Sequence, residues 1–359
     1  MFAPDITTTK NQLTTLFNEI HGISGYSIGI QDTLIGTLPK EPAWIPAVRS
    51  EMKLLSQAGA NWIEKSPDSW VVILTSFIDY GTDFVAFSEQ ITKNVDKLSN
   101  SQIVELLTQL SSALETCATK TKASLDNLTD FENQFKNVFP SLDASIQTGW
   151  DELGDEEAEM VAIAEALTQL QDEITNLQSK IDADGISGGK SFVQTNVKIA
   201  YSIVTAAGEV AVPYLSIAIL AFTMGKTFYD IISDTDKVNK DLQKIADLQV
   251  KASEEAQAAA ATKAMIQYLY NIEIQFLSLK KHGEGLWVMW QDQKSRIDEA
   301  INAINAGVDP SKFLDILTMK VAAKNWEAFI KFSTQIIRLT PEQGPQVLLD
   351  TSKPNNSPQ

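Results

Sequence analysis

Residues 199–225 read IAYSIVTAAGEVAVPYLSIAILAFTMG and carry one charge, Glu209, in a chain of 359 residues whose formal net charge is −17. Lys198 and Lys226 bracket the run. Apolar surface on this scale has to be covered by protein or by hydrocarbon, and the length is enough to enter or cross a bilayer. The run lies in mid-chain, between segments with heptad patterning. Together these features predict a chain that folds in water and conceals a membrane-active element.

The flanking patterns are helical. Ile103, Leu107, Leu110, Leu114, Cys117, Thr121, Ser124, Leu128, Phe131, Phe135 and Val138 alternate spacings of four and three, and only Thr121 and Ser124 break the apolar character. Pro140 is expected to end this helix. Met160, Ile163, Leu167, Leu170, Ile174, Leu177 and Ile181 form a second stripe with acidic residues on the other faces. Such stripes pack into left-handed bundles. Asp184-Gly185-Ile186-Ser187-Gly188-Gly189 is the sharpest breaker. Helical register resumes near Tyr229, passes through an Ala-rich stretch at 252–264, and continues through Met265, Leu269, Ile272, Phe276, Leu279, Leu286, Trp290, Ile297 and Ile304. Gly283 and Gln293 are its weak points, and Gly307-Val308-Asp309-Pro310 ends it.

A last helix over 311–338 offers Ile316, Val321, Trp326, Phe329 and Ile336 for burial. The first hundred residues hold shorter helices over 6–34, 43–65 and 68–98, interrupted or separated by Gly22, Gly25, Pro39, Pro46 and Pro67. Strands are scarce. A helix of roughly 40 residues is about 60 Å long, more than a compact globule uses. The expected fold class is all-α: an elongated bundle of long helices with an apolar head, a helical hairpin or a short β-tongue, at one end. The expected division is an N-terminal part of the tail bundle over 1–184, the head over 185–229, a C-terminal part of the bundle over 230–339 and a disordered tail over 340–359.

Composition narrows the function. With no basic run in an acidic chain, nucleic acid is not an expected partner. Net acidity also disfavours electrostatic docking on anionic lipid, so apolar burial has to drive any membrane encounter. Cys117, the only cysteine, sits at a heptad core position and is expected to be a small buried hydrophobe. His21 and His282 have no second His, Cys or Glu at ligand spacing, and no phosphate-cradling or zinc-binding motif occurs. The stretch 280–285 around His282 is expected to be a helix irregularity. No enzyme activity, cofactor or metal site is expected. The N-terminus lacks the basic and apolar regions of a Sec-type signal peptide.

Three arrangements can cover the apolar region. A single transmembrane helix would place Glu209 and Pro213 in mid-membrane, where each is costly or disruptive. A permanently buried core element needs protein to cover the 16 uncharged residues of 210–225, and the end of a thin bundle offers little. A hairpin hidden in water and released at a membrane meets both objections. Gln194, Lys198, Ser202, Thr205 and Glu209 recur at helical spacing on one face of its first arm and are candidates to line a pore. Val197, Ile199, Ile203, Val204, Val210, Val212, Tyr214, Leu215, Ile217, Ile219, Leu220, Phe222 and Met224 are the candidates to enter the membrane. The turn is expected at 209–213, with Glu209 and Pro213 at its tip. The β-branched run around Val210, Val212 and Ile217 leaves a short β-hairpin tongue open as the form in water. Gly185, Gly188, Gly189 and Gly225 are candidate hinges. Burying roughly ten large apolar side chains is worth tens of kcal/mol in protein or in lipid, at about 1.5–3 kcal/mol each, so the two states can lie close in free energy.

This arrangement resembles the α-helical pore-forming toxin superfamily, which includes cytolysin A, the components of haemolysin BL and of the non-haemolytic enterotoxin, and tripartite toxins of Gram-negative bacteria. The matching positions are the long helices near 101–138 and 140–183, the head 186–229 and the return helix 230–306. The resemblance implies a soluble monomer that docks on a target-cell lipid bilayer, releases its head and oligomerises into a pore. It implies further copies and homologous toxin components as partners, and secretion without a Sec-type signal peptide. Tripartite members divide apolar and amphipathic heads between components, whereas this chain has one arm of each kind. The alternative is a non-toxic helical scaffold or secretion-tip protein with a buried apolar end.

Overall fold

The computed structural model describes residues 2–33, 35–38, 40–94, 97–179, 181–205, 207–224, 228–233, 236–339 and 342–353, with backbone alone at 211–213, 216–220, 222, 224, 233 and 268. Among these residues the elements follow in the order α1 (Ile6–Asp32), α2 (Ile45–Asn94), α3 (Asn100–Glu152), α4 (Glu157–Asn176), α5 (Ala183–Ser187), β1 (Phe192–Val204), β2 (Val210–Met224), α6 (Phe228–Ser233), α7 (Asp236–Gln249), α8 (Glu254–Asn305), α9 (Ile316–Arg338), β3 (Glu342–Gln343) and β4 (Val347–Asp350). Helices α2, α3 and α8 have 50, 53 and 52 residues. At 1.5 Å per residue each is about 75–80 Å long, and their mutual packing makes the molecule an elongated bundle.

The stripes explain the packing. Every heptad position named above from Ile103 to Val138 is buried, the polar Thr121 and Ser124 included. Ser99 opens α3 with a capping box: its hydroxyl accepts from the Gln102 N–H, and the Gln102 side chain accepts from the Ser99 N–H. The α8 stripe from Met265 to Ile304 is buried as well. An aromatic cluster joins α2, α8 and α9, with Trp290 and Trp326 stacked at 5.9 Å and Phe77 and Tyr80 against them. The Trp326 indole N–H donates to the Phe2 carbonyl at 2.9 Å, which ties the N-terminus to this cluster.

Several sequence expectations are corrected. Pro140 does not end α3, and Pro67 does not divide α2. An interior proline costs about 3 kcal/mol through a lost hydrogen bond and a clash. Here the apolar seam continues across each one: Trp62, Trp70 and Ile73 are buried around Pro67, and Val138, Leu142 and Ile146 around Pro140. Over 230–306 the described residues form α6, α7 and α8 rather than one helix; the last two part at 250–253, where Ser253 caps α8 by accepting from the Ala256 N–H. The irregularity expected around His282 is absent, since α8 runs through it and the imidazole Nδ1–H donates to the Ser278 carbonyl at 2.8 Å. Gly283 is a close approach rather than a weak point, because a Cβ there would strike the Leu125 side chain of α3. Ile316 and Val321 are exposed, because the buried face of α9 runs through Met319, Ala322, Trp326 and Phe329.

The tail expected to be disordered over 340–359 supplies two strands among its described residues. Val347–Asp350 pairs parallel with β1, and Val347 and Leu349 are buried between exposed or half-buried neighbours. The physical reason is the edge of β1, whose free N–H and C=O groups recruit an alternating segment.

Burial of the His21 imidazole, whose ring lies 4.2 Å from that of Phe17, pushes its pKa down to about 4. An unfolded chain takes up a proton near pH 6.5 that the folded chain refuses until about pH 4. This stabilisation is therefore complete above pH 6.5 and lost as pH falls toward 4. Urea midpoints taken between pH 7 and pH 5 should fall for the native chain and flatten for His21→Gln.

Candidate functional site

The apolar region folds as a β-hairpin laid along the bundle. Asn18 of α1 grips the chain ahead of it, its side chain exchanging two hydrogen bonds with the Ile181 backbone at 2.7 and 3.2 Å. Asp182 then caps α5 by accepting from the Gly185 N–H. Strands β1 and β2, of 13 and 15 residues, pair antiparallel from Phe192↔Met224 to Val204↔Val210. Gln194 and Ala200 of β1 accept from the Gly344 and Thr351 N–H groups of the C-terminal segment at 2.7 and 3.0 Å. Helix α1 lies under β2, and the Gly36 N–H beyond it donates to the Tyr214 carbonyl at 3.1 Å.

The two faces of β1 differ. Val193, Thr195, Val197, Ile199, Tyr201 and Ile203 alternate toward the core, and the residues between them up to Ala200 are half-buried. On β2, Leu215, Ala221 and Thr223 are buried and pair with Tyr201, Thr195 and Val193. Ile217 and Ile219 occupy the register positions opposite Ile199 and Val197. Burial holds the Tyr201 and Tyr214 phenols well above their ordinary pKa. The Tyr201 hydroxyl donates to the Gln257 carbonyl of α8 at 3.1 Å.

Thr205 and Glu209 close the turn, which is therefore not at 209–213. The Thr205 N–H donates to the Glu209 carbonyl at 2.8 Å, the Glu209 N–H donates to the Thr205 hydroxyl at 3.2 Å, and Gly208 supplies the left-handed φ of +80° that such a turn favours. Pro213 is within β2, opposite Ser202 at a slip of register, where a missing N–H is tolerated.

Of the residues expected to enter a membrane, Val197, Ile199, Ile203, Val204, Tyr214 and Leu215 are buried together, while Val210 at the tip is 51% exposed. Val212, Ile217, Ile219, Leu220, Phe222 and Met224 belong to β2, with side chains outside those described. Gln194, Lys198 and Ser202 share the face of β1 away from the core stripe, while Thr205 and Glu209 close the turn. Of the candidate hinges, Gly189 has φ of +66° and Gly188 an ordinary φ of −81°. Gly185 is hemmed in, since a Cβ there would lie 2.9 Å from the Asp182 carboxylate. Gly225 lies outside the described residues. The single transmembrane helix is excluded for this state, because 192–204 and 210–224 are strands. Among the described residues α2 alone is a helix long and apolar enough to cross a membrane, with a mean hydropathy of 1.3 over an 18-residue window, and half of that window is buried within the bundle as in a core helix.

Sequence reasoning missed Gln249 and Gln257, which are buried at the tip of the hairpin. The available signal was Gln257 itself, a long polar side chain alone among the alanines of 256–261.

Two comparisons bear on this bundle with its folded hairpin. The family model of the Bacillus haemolytic enterotoxin (HBL) matches residues 32–182. A solved structure 36% identical over 98% of each chain superposes with a TM-score of 0.92. The chain belongs to the α-helical pore-forming toxin family. That similar structure is the cytotoxin MakB from Vibrio cholerae. The fold is also that of soluble AhlB, of the tripartite α-pore-forming toxin AHL from Aeromonas hydrophila, with a TM-score of 0.71 at 12% identity and 94% of each chain covered. It is likewise that of the Bacillus cereus HblL1 toxin component, with a TM-score of 0.65 at 12% identity, covering 95% of this chain and 99% of that one. No curated protein sequence matches the chain.

Proposed function

We propose that this chain is a pore-forming toxin component whose β-tongue leaves the bundle, enters the bilayer of a target cell and contributes to an oligomeric pore. The observation that carries the reading is the amphipathic hairpin itself. Its described large apolar side chains, Val210 apart, are sheltered on one face by a bundle that does not enclose the exposed tip. Burying about seven of them is worth about 10–20 kcal/mol gross, and acyl chains supply the same burial. Transfer between bundle and lipid therefore cancels most of this term, and modest differential contacts can decide the outcome.

The spacing of the polar residues supports the pore. Gln194, Lys198 and Ser202 are four apart. Residues four apart share a face in a strand and nearly do so in a helix. The same polar stripe can face water whether the tongue inserts as strands or refolds into helices. Val197, Ile199, Ile203 and Leu215 would then meet lipid, and Glu209 at the turn would reach the far aqueous side. Partnership with homologous components is part of the proposal, since AhlB and the Smh proteins are described as parts of tripartite toxins. Action outside the cell that makes it, without a catalytic step, completes it.

Dye release from neutral-lipid vesicles, with the chain alone and mixed with homologous components, tests this. Ile203→Asp and Leu220→Asp place a carboxylate where lipid is expected, at a cost of about 2.5–3.5 kcal/mol. Each should lower permeabilisation about 100-fold. Undiminished binding and release by both variants would overturn the proposal.

A further inference from the structure

We propose that Gln257 is a latch that holds the tip of the tongue to the bundle, and that opening begins at this tip. Its role in toxin action rests on the membrane reading above. The register of the hairpin slips between Ile203 and Val204. Val204, still paired with Val210 on β2, also turns to Gln257, whose Oε1 accepts from the Val204 N–H at 2.9 Å and whose Nε2 donates to the Val204 carbonyl at 2.6 Å. The carboxamide thus stands in for the peptide group of a neighbouring strand. The same Nε2 reaches the carbonyls of Gln249 and Ala252 at 2.9 and 3.1 Å, where α7 ends and the chain turns into α8. Gln249 Nε2 donates to the Ser202 carbonyl at 2.7 Å, and the Tyr201 hydroxyl completes the cluster on the Gln257 carbonyl. Gln249 and Gln257 have no exposed surface.

The chemistry of these contacts sets them apart from the rest of the tongue. Apolar burial is non-directional, and a bilayer replaces it. Acyl chains donate and accept no hydrogen bonds, so they replace nothing of the Gln257 cluster. Among the tongue's side-chain contacts, those that cancel least between the sheltered and inserted states are therefore the ones made by this side chain, alongside the backbone bonds that β1 makes with β3 and β4. The alanines beside it, Ala256 and Ala258 to Ala261, are buried and have no side-chain polar group to take over. Position decides the order of opening. Lower on β1 the strand is paired on both edges, with β2 and with β3 or β4. At Ser202–Val204 the paired partner is β2 alone, and the glutamines supply the rest.

Gln257→Leu keeps the approximate size of the side chain and removes its bonds. Hydrogen exchange of the full chain in buffer without vesicles should then speed up about 10- to 100-fold at 202–204 and 210–215. The amides of 193–199 and of α3 should keep their native rates, as should every amide in Gln243→Leu, a control on the partly exposed face of α7. Native exchange at 202–204, or equal acceleration through α3, overturns the latch. Should Gln257→Leu fail to fold, Tyr201→Phe removes one bond of the cluster and should raise exchange at 202–204 about fivefold, with no change there again overturning it. Vesicle dye release separates the two ideas. Faster exchange with unaltered release sustains the latch and sinks the membrane role of the tongue, whereas unaltered exchange sinks the latch whatever the vesicles do.

Discussion

Trp326→Ala should lower the unfolding free energy by about 3–5 kcal/mol, seen as a shift of the guanidinium midpoint followed by far-ultraviolet circular dichroism. The indole is fully buried. It stacks on Trp290 at 5.9 Å, meets Tyr80 and Phe329 edge-on at 4.7 and 5.4 Å, and lies within 6.5 Å of Phe77 and Phe84. Alanine removes the area, leaves a cavity between three helices whose backbones hold one another apart, and strands the Phe2 carbonyl. Leu317, nine residues earlier on the same helix, is 74% exposed, and Leu317→Ala should change stability by less than about 0.5 kcal/mol. Equal losses from the two substitutions would contradict the assignment of the core. Because α9 leads directly into β3 and β4, Trp326→Ala should also loosen the strands paired with the tongue.

The second large effect lies between α3 and α8. Glu132, with 1% of its side chain exposed, is paired with Lys136 at 2.7 Å and with Lys280, and Lys136 reaches Glu273 at 3.4 Å. Burial raises the pKa of the Glu132 carboxyl, and the hydrogen bonds and charges of the two lysines outweigh it, so the net displacement is downward from the ordinary 4.5. Replacing both lysines by methionine leaves a carboxylate buried without a counter-ion, which should cost about 3–5 kcal/mol at pH 7. The sign of the pH dependence then reverses. In the native chain the folded-state pKa is depressed, so the stabilisation holds above pH 4.5 and fades as pH falls through the folded value. In the double variant burial acts unopposed and raises the folded-state pKa, so the penalty stands at pH 7 and shrinks as acid protonates the group. The stability gap between native chain and variant should therefore narrow from pH 7 to pH 5. Adding Glu132→Leu to the double variant should recover most of the loss. A gap that widens in acid, or no recovery, would show that the lysines stabilise the bundle by other means.

Legibility in the sequence followed the range of the interactions. The α3 and α8 stripes could be read residue by residue, because a seam of period 3.5 over 50 residues is satisfied only by burial against other helices. The same local reasoning failed at Pro67 and Pro140, where the cost of one proline is smaller than the packing on either side of it. It failed at Ile316 and Val321, where the direction of α9 depends on what Trp326 docks into. It expected the turn at 209–213 with Glu209 and Pro213 at its tip, whereas the turn closes between Thr205 and Glu209 and a slip of register accommodates Pro213 inside a strand.

What the amino-acid order determined alone is a long-helix bundle interrupted by one charge-poor hairpin, since periodicity and charge are properties of the chain before it folds. Tertiary structure decided that the hairpin is made of strands in water, that 347–350 pairs along its edge, and that two glutamines close its tip. The reason is physical. An apolar run of β-branched residues is satisfied by any burial, and its conformation is settled only by which distant backbone and amide groups lie within hydrogen-bonding reach.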